Sequence, residues 1–243
     1  MTRDELASII DHSVLKPETT ERDVRAGADL VREWNIGFFC AQPSWIALAA
    51  QELTGTEVRI VSVIAFPHGC ERSPVKARAA EFAVRDGARE IDMVMNIGLL
   101  KSGAMTGVEA DIRTVVAAVP GVAVKVILET ALLTDDEKRL ACRITRDAGA
   151  AFVKTSTGFH PAGGATTADV RLLRANVGTD FGVKASGGIR TLADALAMVD
   201  AGANRIGASA SAAILASADA HAELMGKLVW DETFDYKAER PRR

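Results

Sequence analysis

Residues 147–158 read DAGAAFVKTSTG and contain the join that decides the fold. Gly149 stands where a helix would end, because the residue after a helix often has a positive φ that glycine adopts without a steric penalty. A short apolar run that suits a β-strand begins at Phe152. The same join of acidic residue, glycine and alanine before an apolar run occurs at 86–88 and 200–203. The pattern predicts helices that repeatedly lead into strands.

Helix starts are marked by residues that cap an N-terminus. A threonine followed three residues later by Asp or Glu has capping-box spacing, in which side chains accept hydrogen bonds from the free N–H groups of the first turn. Ser73-Pro74 offers a cap with proline at the first helical position. The capping-box threonines are Thr20, Thr106, Thr134, Thr166 and Thr191. Together with the joins, these signals predict that strands and helices alternate.

Eight short apolar runs lie between these signals, and eight strands are what a (β/α)8 barrel requires. The chain has 243 residues, a typical length for that fold, and the runs suit parallel strands covered by helices. We predict fold class α/β, a single-domain (β/α)8 TIM barrel over residues 1–243. An open doubly wound sheet is the alternative, because alternation alone does not distinguish closure from two-sided stacking. The predicted strands are 8–13, 37–42, 58–66, 90–96, 123–130, 152–158, 182–188 and 205–209.

Composition and charge exclude several function classes. The chain has 29 Lys and Arg against 32 Asp and Glu, a net charge of −3, and 5% aromatic residues, so we expect no nucleic-acid partner. No apolar run approaches the ~18 residues that cross a bilayer. Asp4 and Glu5 lie where a signal peptide would have its apolar core, so we expect no membrane association and a cytoplasmic location. The three cysteines form no CxxC pair, which favours reduced thiols over disulfides or a zinc cluster.

Charged residues within the predicted strands are the main anomaly. They are Asp92 in the fourth strand, Lys125 and Glu129 in the fifth, Lys154 in the sixth and Lys184 in the seventh. A buried charge is costly without a partner, and strand alternation puts each of the last two lysines on one face with a serine two residues later. Structural ion pairs or lysines that reach the rim could explain any one of them. Several on consecutive strands, leading into the loops that build active sites in barrels, favour a reaction centre.

Two lysines and a carboxylate suit Schiff-base chemistry. A lysine attacks a carbonyl only when its amine is neutral, and a second ammonium group about 7 Å away disfavours its charge by roughly 2 kcal/mol at an effective dielectric constant near 20. Desolvation acts in the same direction. We predict that one of Lys154 and Lys184 forms the Schiff base of a class I aldolase while Asp92 moves protons through water. The iminium is itself the electron sink, so no cofactor or metal is expected, and the histidines lack HxH or HExxH spacing.

Glycines after the last two predicted strands suggest a phosphate site. Gly187-Gly188 follows the seventh strand, and Gly207-Ala208-Ser209 leads into a predicted helix. Backbone N–H groups at a helix N-terminus bind phosphate after these strands in many barrels. Two glycines alone are simply a turn, so the position of these residues carries the prediction of a phosphorylated substrate.

Taken together, six segments resemble the deoxyribose-phosphate aldolase family from about residue 8 to residue 215. They are DHSVLKP (11–17), EIDMVMNIGLLKSG (90–103), KVILET (125–130), FVKTSTGF (152–159), VKASGGIRT (183–191) and RIGAS (205–209). The resemblance implies an aldehyde-lyase that reversibly cleaves 2-deoxy-D-ribose 5-phosphate to acetaldehyde and D-glyceraldehyde 3-phosphate. It implies that Lys154 forms the Schiff base, that Lys184 tunes it, and that Asp92 is the proton-relay acid and base. Substrate hydroxyls and phosphate would meet Asp11, Thr157, Gly158, Gly187, Gly188, Gly207 and Ser209.

Departures from the family pattern leave the substrate open. Ala210 replaces a hydroxyl residue in the final phosphate turn, and His160-Pro161 replaces a small polar run after TSTGF. A related Schiff-base aldolase with an unphosphorylated or different aldehyde substrate is therefore an alternative. A non-catalytic phosphosugar-binding barrel is another, because fold alone does not fix function.

Further expectations concern the surroundings of the site, the tail and the assembly. Lys125 and Cys40 should lie near the site, where Cys40 packs against its neighbours, although a reaction of its thiolate with an aldehyde is a second hypothesis. Tyr236 has further residues behind it, whereas some family members end in a tyrosine that folds over the site. We expect a flexible tail from about residue 232 instead. A homodimer is expected only because symmetric dimers are common.

Overall fold

A computed structural model describes residues 1–220 of the chain. Eight parallel strands pair in chain order, and the eighth closes the barrel against the first. The predicted (β/α)8 TIM barrel is confirmed, and the open sheet is excluded. The strands are β1 Ile10–Val14, β2 Phe38–Ala41, β3 Arg59–Ile64, β4 Glu90–Val94, β5 Ala123–Ile127, β6 Phe152–Lys154, β7 Gly182–Ser186 and β8 Arg205–Ala208. The expected tail from residue 232, with Tyr236, lies outside the described residues.

Helices cover the outside of the barrel. Short 3-10 turns at Pro43–Trp45 and Thr130–Leu132 complete the loops, and residues 211–220 are also helical. In the described part of the chain, helices α1 to α9 are α1 Arg3–Ser8, α2 Glu21–Glu33, α3 Ile46–Glu52, α4 Ser73–Arg85, α5 Ile97–Lys101, α6 Met105–Ala118, α7 Asp135–Asp147, α8 Thr167–Val177 and α9 Leu192–Asp200. None of the helices within residues 1–220 is long and apolar enough to cross a membrane.

Most helix starts follow the predicted caps. Thr20, Thr134 and Thr191 form reciprocal capping boxes, and Thr166 accepts from the N–H of the residue three positions later without the reciprocal bond. The prediction at Thr106 is wrong, because α6 begins one residue earlier and Thr106 lies inside its first turn.

The cap predicted at Ser73 is also wrong by one residue. Arg72 occupies the N-cap position, so Ser73 and Pro74 are the first two residues of α4. The joins are confirmed by the positive φ of Gly87, Gly149 and Gly202, each of which leads out of a helix toward the next strand.

All eight strands contain fewer residues than their apolar runs predict, and β6 is shortened most. β6 ends at Lys154 because the N–H of Thr157 turns to the carboxylate of Glu129 instead of joining the sheet. Glu129 itself lies beyond the end of β5 and has a left-handed backbone with φ 56°. The loops that leave β5 and β6 are therefore tied to each other at the carboxyl end of the barrel.

The apolar core lies mainly between the strands and the helices, where outward strand residues pack on the inward helix faces. A smaller apolar cluster, which includes Phe38, Cys40 and Val63, fills one side of the barrel interior. Charged side chains fill much of the rest of that interior. The strand register places Asp92 beside Lys125 and Lys154 beside Lys184.

A buried ion pair fastens α4 and α6 to the end of β4, the strand that carries Asp92. The Lys76 ammonium group donates to Asp111 Oδ2 at 2.6 Å and to the Val94 carbonyl oxygen at 2.9 Å. Both side chains of the pair are almost fully buried. Removing one partner would leave the other charge without compensation in the helix layer.

We predict that Lys76→Met lowers the free energy of unfolding by about 3–5 kcal/mol, because Asp111 loses its cation while it remains buried. The matched control is Lys101→Met, which breaks a solvent-exposed pair with Glu137 and should cost far less. Urea denaturation followed by circular dichroism measures both variants. Equal losses of stability in the two variants would contradict the prediction.

Candidate active site

The carboxylate of Asp92 lies at the centre of the charged interior. Its Oδ2 accepts hydrogen bonds from Lys154 Nζ at 2.7 Å and from Lys184 Nζ at 2.8 Å, and its Oδ1 accepts from Lys125 Nζ at 2.8 Å. All four side chains are at most 3% exposed. Four consecutive strands, β4 to β7, therefore bring the predicted carboxylate and lysines to one point.

The two lysines differ in their electrostatic surroundings. Burial lowers the pKa of Lys154, and the Lys184 ammonium group acts in the same direction, while Asp92 opposes both. Burial also disfavours the charge of Lys184, but Asp11 and Asp92 outweigh it and raise the pKa of Lys184 above its ordinary value. Burial thus favours the neutral amine at Lys154, whereas the two carboxylates favour the ammonium form at Lys184. The sequence alone favours the neighbouring cation as the main influence on the pKa of Lys154, whereas burial is the larger cause in the structure.

Asp92 is held in its ionised form. Burial alone would raise the pKa of this carboxyl group, but Lys125, Lys154 and Lys184 together place it well below its usual range. An ionised carboxylate is an acceptor only, so Asp92 can hold an ammonium group or a water molecule and take up a proton that another group releases.

A cavity of about 760 Å³ opens at the carboxyl ends of the strands. The Lys154 side chain reaches this cavity, as do Ser186, Arg190 and the loop after β1. Of the other predicted binding residues, Thr157, Gly158, Gly187, Gly188, Gly207 and Ser209 line it.

The remaining predicted residues lie elsewhere. Asp11 is fully buried beneath the cavity, where it accepts hydrogen bonds from Lys184 and Arg205. Asp92, Lys125 and Lys184 are also below the cavity wall. Ala210 and His160-Pro161 do not line the cavity, and His160 Nδ1 accepts the N–H of Ala162. Within residues 1–220, no group of three or more His, Cys, Asp or Glu side chains could hold a metal ion.

The loop after β6 depends on a buried glutamate, Glu129, to which the sequence assigns no function. Glu129 accepts the backbone N–H of Thr157 at 3.3 Å and the Thr157 hydroxyl group at 2.5 Å. The Thr157 hydroxyl oxygen in turn accepts the N–H of Phe159. Glu129 therefore fixes the orientation of the Thr157 hydroxyl group. The sequence does contain a signal for this contact, a glutamate at the end of an apolar strand. A buried carboxylate requires a hydrogen-bond donor, so such a glutamate indicates a partner in a neighbouring loop.

Close backbone contact holds two of the loops against each other. A Cβ atom on Gly164 would lie 2.2 Å from the Gly187 carbonyl oxygen, so only glycine permits this approach. The next residue, Ala165, donates its N–H to the carbonyl oxygens of Ser186 and Gly187. The loop after β6 and the loop after β7 thus form one wall of the cavity.

His12 lines the cavity as well, although it is not among the site residues predicted from the sequence. The Ser211 hydroxyl group donates its hydrogen bond to the Ala208 carbonyl oxygen. His12 Nδ1 lies 3.1 Å from Ser211 Oγ, and because that hydroxyl proton is already used, Nδ1 donates to the oxygen. Burial lowers the pKa of His12 to about 4, which keeps the ring neutral near pH 7. Its Nε2 is then an acceptor at the wall between β1 and β8.

Comparison with known proteins gives one consistent result. The family model described as DeoC/LacD family aldolase matches residues 6–217. A deoxyribose-phosphate aldolase of Enterococcus faecalis is 52% identical over 215 residues, 88% of this chain and 97% of the relative. One of Streptococcus suis is 50% identical with the same coverage. The tetrameric deoxyribose phosphate aldolase of Aeropyrum pernix is 33% identical with a TM-score of 0.82, covering 89% of this chain and 92% of that one. The family resemblance found in the sequence is confirmed.

We predict that Cys40 is unreactive at pH 8. Burial raises the pKa of its thiol to about 11, so about one molecule in a thousand carries the thiolate. Iodoacetamide should alkylate the exposed Cys70 at least about a hundredfold faster, as measured by peptide mass spectrometry. We also expect Cys40→Met to leave sensitivity to acetaldehyde unchanged. Comparable alkylation of the two cysteines in the folded protein would refute this.

Proposed function

Because the chain belongs to the DeoC/LacD family of aldolases, we propose that it cleaves 2-deoxy-D-ribose 5-phosphate to acetaldehyde and D-glyceraldehyde 3-phosphate, reversibly and through a Schiff base. One observation carries the assignment of the nucleophile. Of the charged side chains that meet at Asp92, Lys154 reaches the cavity, whereas Lys125 and Lys184 lie beneath its wall. An aldehyde that enters the cavity therefore meets Lys154 first.

In the first step, the neutral amine of Lys154 attacks C1 of the open-chain sugar. A C–N bond forms, the carbonyl oxygen takes up a proton, and loss of water from the carbinolamine gives the iminium ion. Burial and the Lys184 ammonium group support this step, since both lower the pKa of Lys154. Lys184 retains its own proton through Asp11 and Asp92, and is not the nucleophile.

In the second step, the C2–C3 bond breaks and its electron pair moves toward the iminium nitrogen, giving an enamine of acetaldehyde. The hydroxyl group on C3 loses its proton and becomes the carbonyl of the triose product. Asp92 is ionised, and once Lys154 is in the iminium, Asp92 Oδ2 can hold the water that takes up this proton. Protonation of the enamine at C2 and hydrolysis then release acetaldehyde and restore Lys154.

The glycine-rich part of the cavity wall suits the phosphate group. Gly207 and Ser209 line the cavity just before the helical residues 211–220, and Gly187 and Gly188 line it directly after β7. Backbone N–H groups and the dipole of a helix N-terminus favour an anion there, and Arg190 adds a cationic side chain to the wall. Ala210 supplies no hydroxyl group, so backbone groups, Ser209 and Arg190 provide the recognition.

We also propose that the chain acts in the cytoplasm and assembles as a homo-oligomer. Support for assembly comes from the tetrameric relative of Aeropyrum pernix. A homodimer stays a prediction, and light scattering of the purified full chain measures the assembly.

We predict that acetaldehyde with cyanoborohydride places an ethyl group on Lys154, because the iminium is reduced where it forms. Mass spectrometry of peptides locates the adduct. Lys154→Met should lose the adduct and at least about a thousandfold of the cleavage rate, whereas the surface control Lys101→Met should retain both.

An adduct on another lysine would refute the assignment of Lys154. Saturable binding of the sugar phosphate with no trapped adduct and no cleavage would instead favour a non-catalytic binding barrel.

We predict that kcat/KM for 2-deoxyribose 5-phosphate exceeds that for 2-deoxyribose by about a hundredfold or more, because charged hydrogen bonds at the phosphate end are worth roughly 1.5–3 kcal/mol each. A coupled dehydrogenase measures the D-glyceraldehyde 3-phosphate released from 2-deoxyribose 5-phosphate. Acetaldehyde is formed from both substrates, so its rate of formation allows the two to be compared. Equal values would favour the alternative with an unphosphorylated substrate.

A further inference from the structure

Two charged side chains occupy the amino-terminal floor of the barrel, on the opposite side of Asp92 from the cavity. Arg205 begins β8, and its Nη1 donates to Asp11 Oδ1 at 3.0 Å and to Glu90 Oε2 at 2.9 Å. Glu90 begins β4. The guanidinium carbon of Arg205 lies 3.3 Å from the centre of the Phe38 ring, which covers one face of the group. Neither Arg205 nor Glu90 lines the cavity.

Ion pairs connect this floor to Lys154 without a break. Lys125 Nζ lies 2.6 Å from Glu90 Oε2 and 2.8 Å from Asp92 Oδ1, and Asp92 Oδ2 holds Lys154. A second route runs from Arg205 through Asp11 and Lys184 to the same oxygen of Asp92. A change of charge at the floor is therefore felt at Lys154 through buried groups, where water screens little.

The charges of this network balance in only one protonation state of Lys154. Apart from Lys154, the network contains three cations, Lys125, Lys184 and Arg205, and three anions, Asp11, Glu90 and Asp92. A neutral Lys154 leaves the buried network with no net charge. A protonated Lys154 gives it an excess positive charge, and an uncompensated buried charge is costly.

Other groups around Lys154 do not alter this balance. Cys40 on β2 faces it as a thiol, with its pKa raised to about 11 by burial. On β4 and β7 the facing charges are Asp92 and Lys184, which the network already contains. Beyond β5, the Glu129 carboxylate is occupied by Thr157, and no ion pair joins it to the network within residues 1–220.

We propose that Arg205 and Glu90 are positioning residues that set the protonation of Lys154 from the floor of the barrel, by completing a buried network that is neutral only when Lys154 is neutral. This inference rests on the proposed role of Lys154 as the Schiff-base lysine. The two floor residues act in opposite directions. Loss of Arg205 leaves a negative excess that a proton on Lys154 would cancel, and loss of Glu90 leaves a positive excess that such a proton would worsen.

The test is the rate at which acetaldehyde and cyanoborohydride modify Lys154 as a function of pH, in the purified full chain. Arg205→Met should move the midpoint of the profile to higher pH by roughly one unit, the effect of a unit charge about 10 Å away at an effective dielectric constant near 20. Trapping near neutral pH should then fall about tenfold. Glu90→Gln should move the midpoint to lower pH by a similar amount. The double variant should return it toward that of the parent, because the balance is restored.

Two controls separate charge from shape. Arg205→Lys keeps the cation and should leave the midpoint near that of the parent, even where its altered hydrogen bonds lower the rate. Arg78→Met removes an exposed arginine on α4 and should leave the profile unchanged. If Arg205→Met does not fold, the near-isosteric variant Glu90→Gln tests the inference alone, through the direction in which the midpoint of its pH profile moves.

The outcomes also separate this inference from the proposed function. Suppose that the parent protein is trapped on Lys154. If Glu90→Gln, or a folded Arg205→Met, then leaves the midpoint of the pH profile unchanged or moves it in the opposite direction, the network inference is wrong and the proposed function stands. If the parent is not trapped on Lys154 at all, the proposed function fails first. A merely structural role of the floor would lower rates in both variants without opposite shifts of the profile.

Discussion

The buried carboxylate of Asp92 accepts hydrogen bonds from the Nζ atoms of three lysines at 2.7–2.8 Å, in a barrel interior where a charge has little compensation from solvent. This constraint determines what else the interior must contain. Each additional buried cation requires an anion, and each anion requires donors, so the strands supply their polar residues as a set. Asp11 and Glu90 complete that set, with Arg205 between them. The apolar core is correspondingly displaced to the layer between strands and helices.

The same network gives two neighbouring lysines different electrostatic surroundings. They lie side by side in the register of β6 and β7, and both contact Asp92 Oδ2. Lys184 has a second carboxylate, Asp11, and lies beneath the cavity wall, so its ammonium form is favoured. Lys154 has Asp92 alone and reaches the cavity, and burial lowers its pKa. The surroundings of the two lysines therefore shift their pKa values in opposite directions.

Features with local causes were predictable from the sequence, whereas partners across the barrel were not. Strand positions followed from apolar runs between glycine joins, and three of the capping boxes followed from threonine spacing. The helix start predicted at Thr106 is wrong because the same spacing of threonine and glutamate also occurs within the first turn of a helix. The pairing of Arg205 with Glu90 joins residues 115 positions apart, and it depends on how the strands are staggered when the sheet closes. Alternation predicted that Lys154 faces inward, but not that burial would exceed the neighbouring charge as the cause of its lowered pKa.

Direct titration of the lysine side chains tests the central claim without any substrate. Lysines labelled with ¹³C at Cε report their protonation by nuclear magnetic resonance as pH rises, and variants at single lysines assign the signals. The account predicts that the Lys154 signal titrates below the ordinary lysine value of about 10.4, and that Lys184 keeps its proton to higher pH than any exposed lysine. Titration of Lys154 at or above the ordinary value, or of Lys184 before Lys154, would contradict the account.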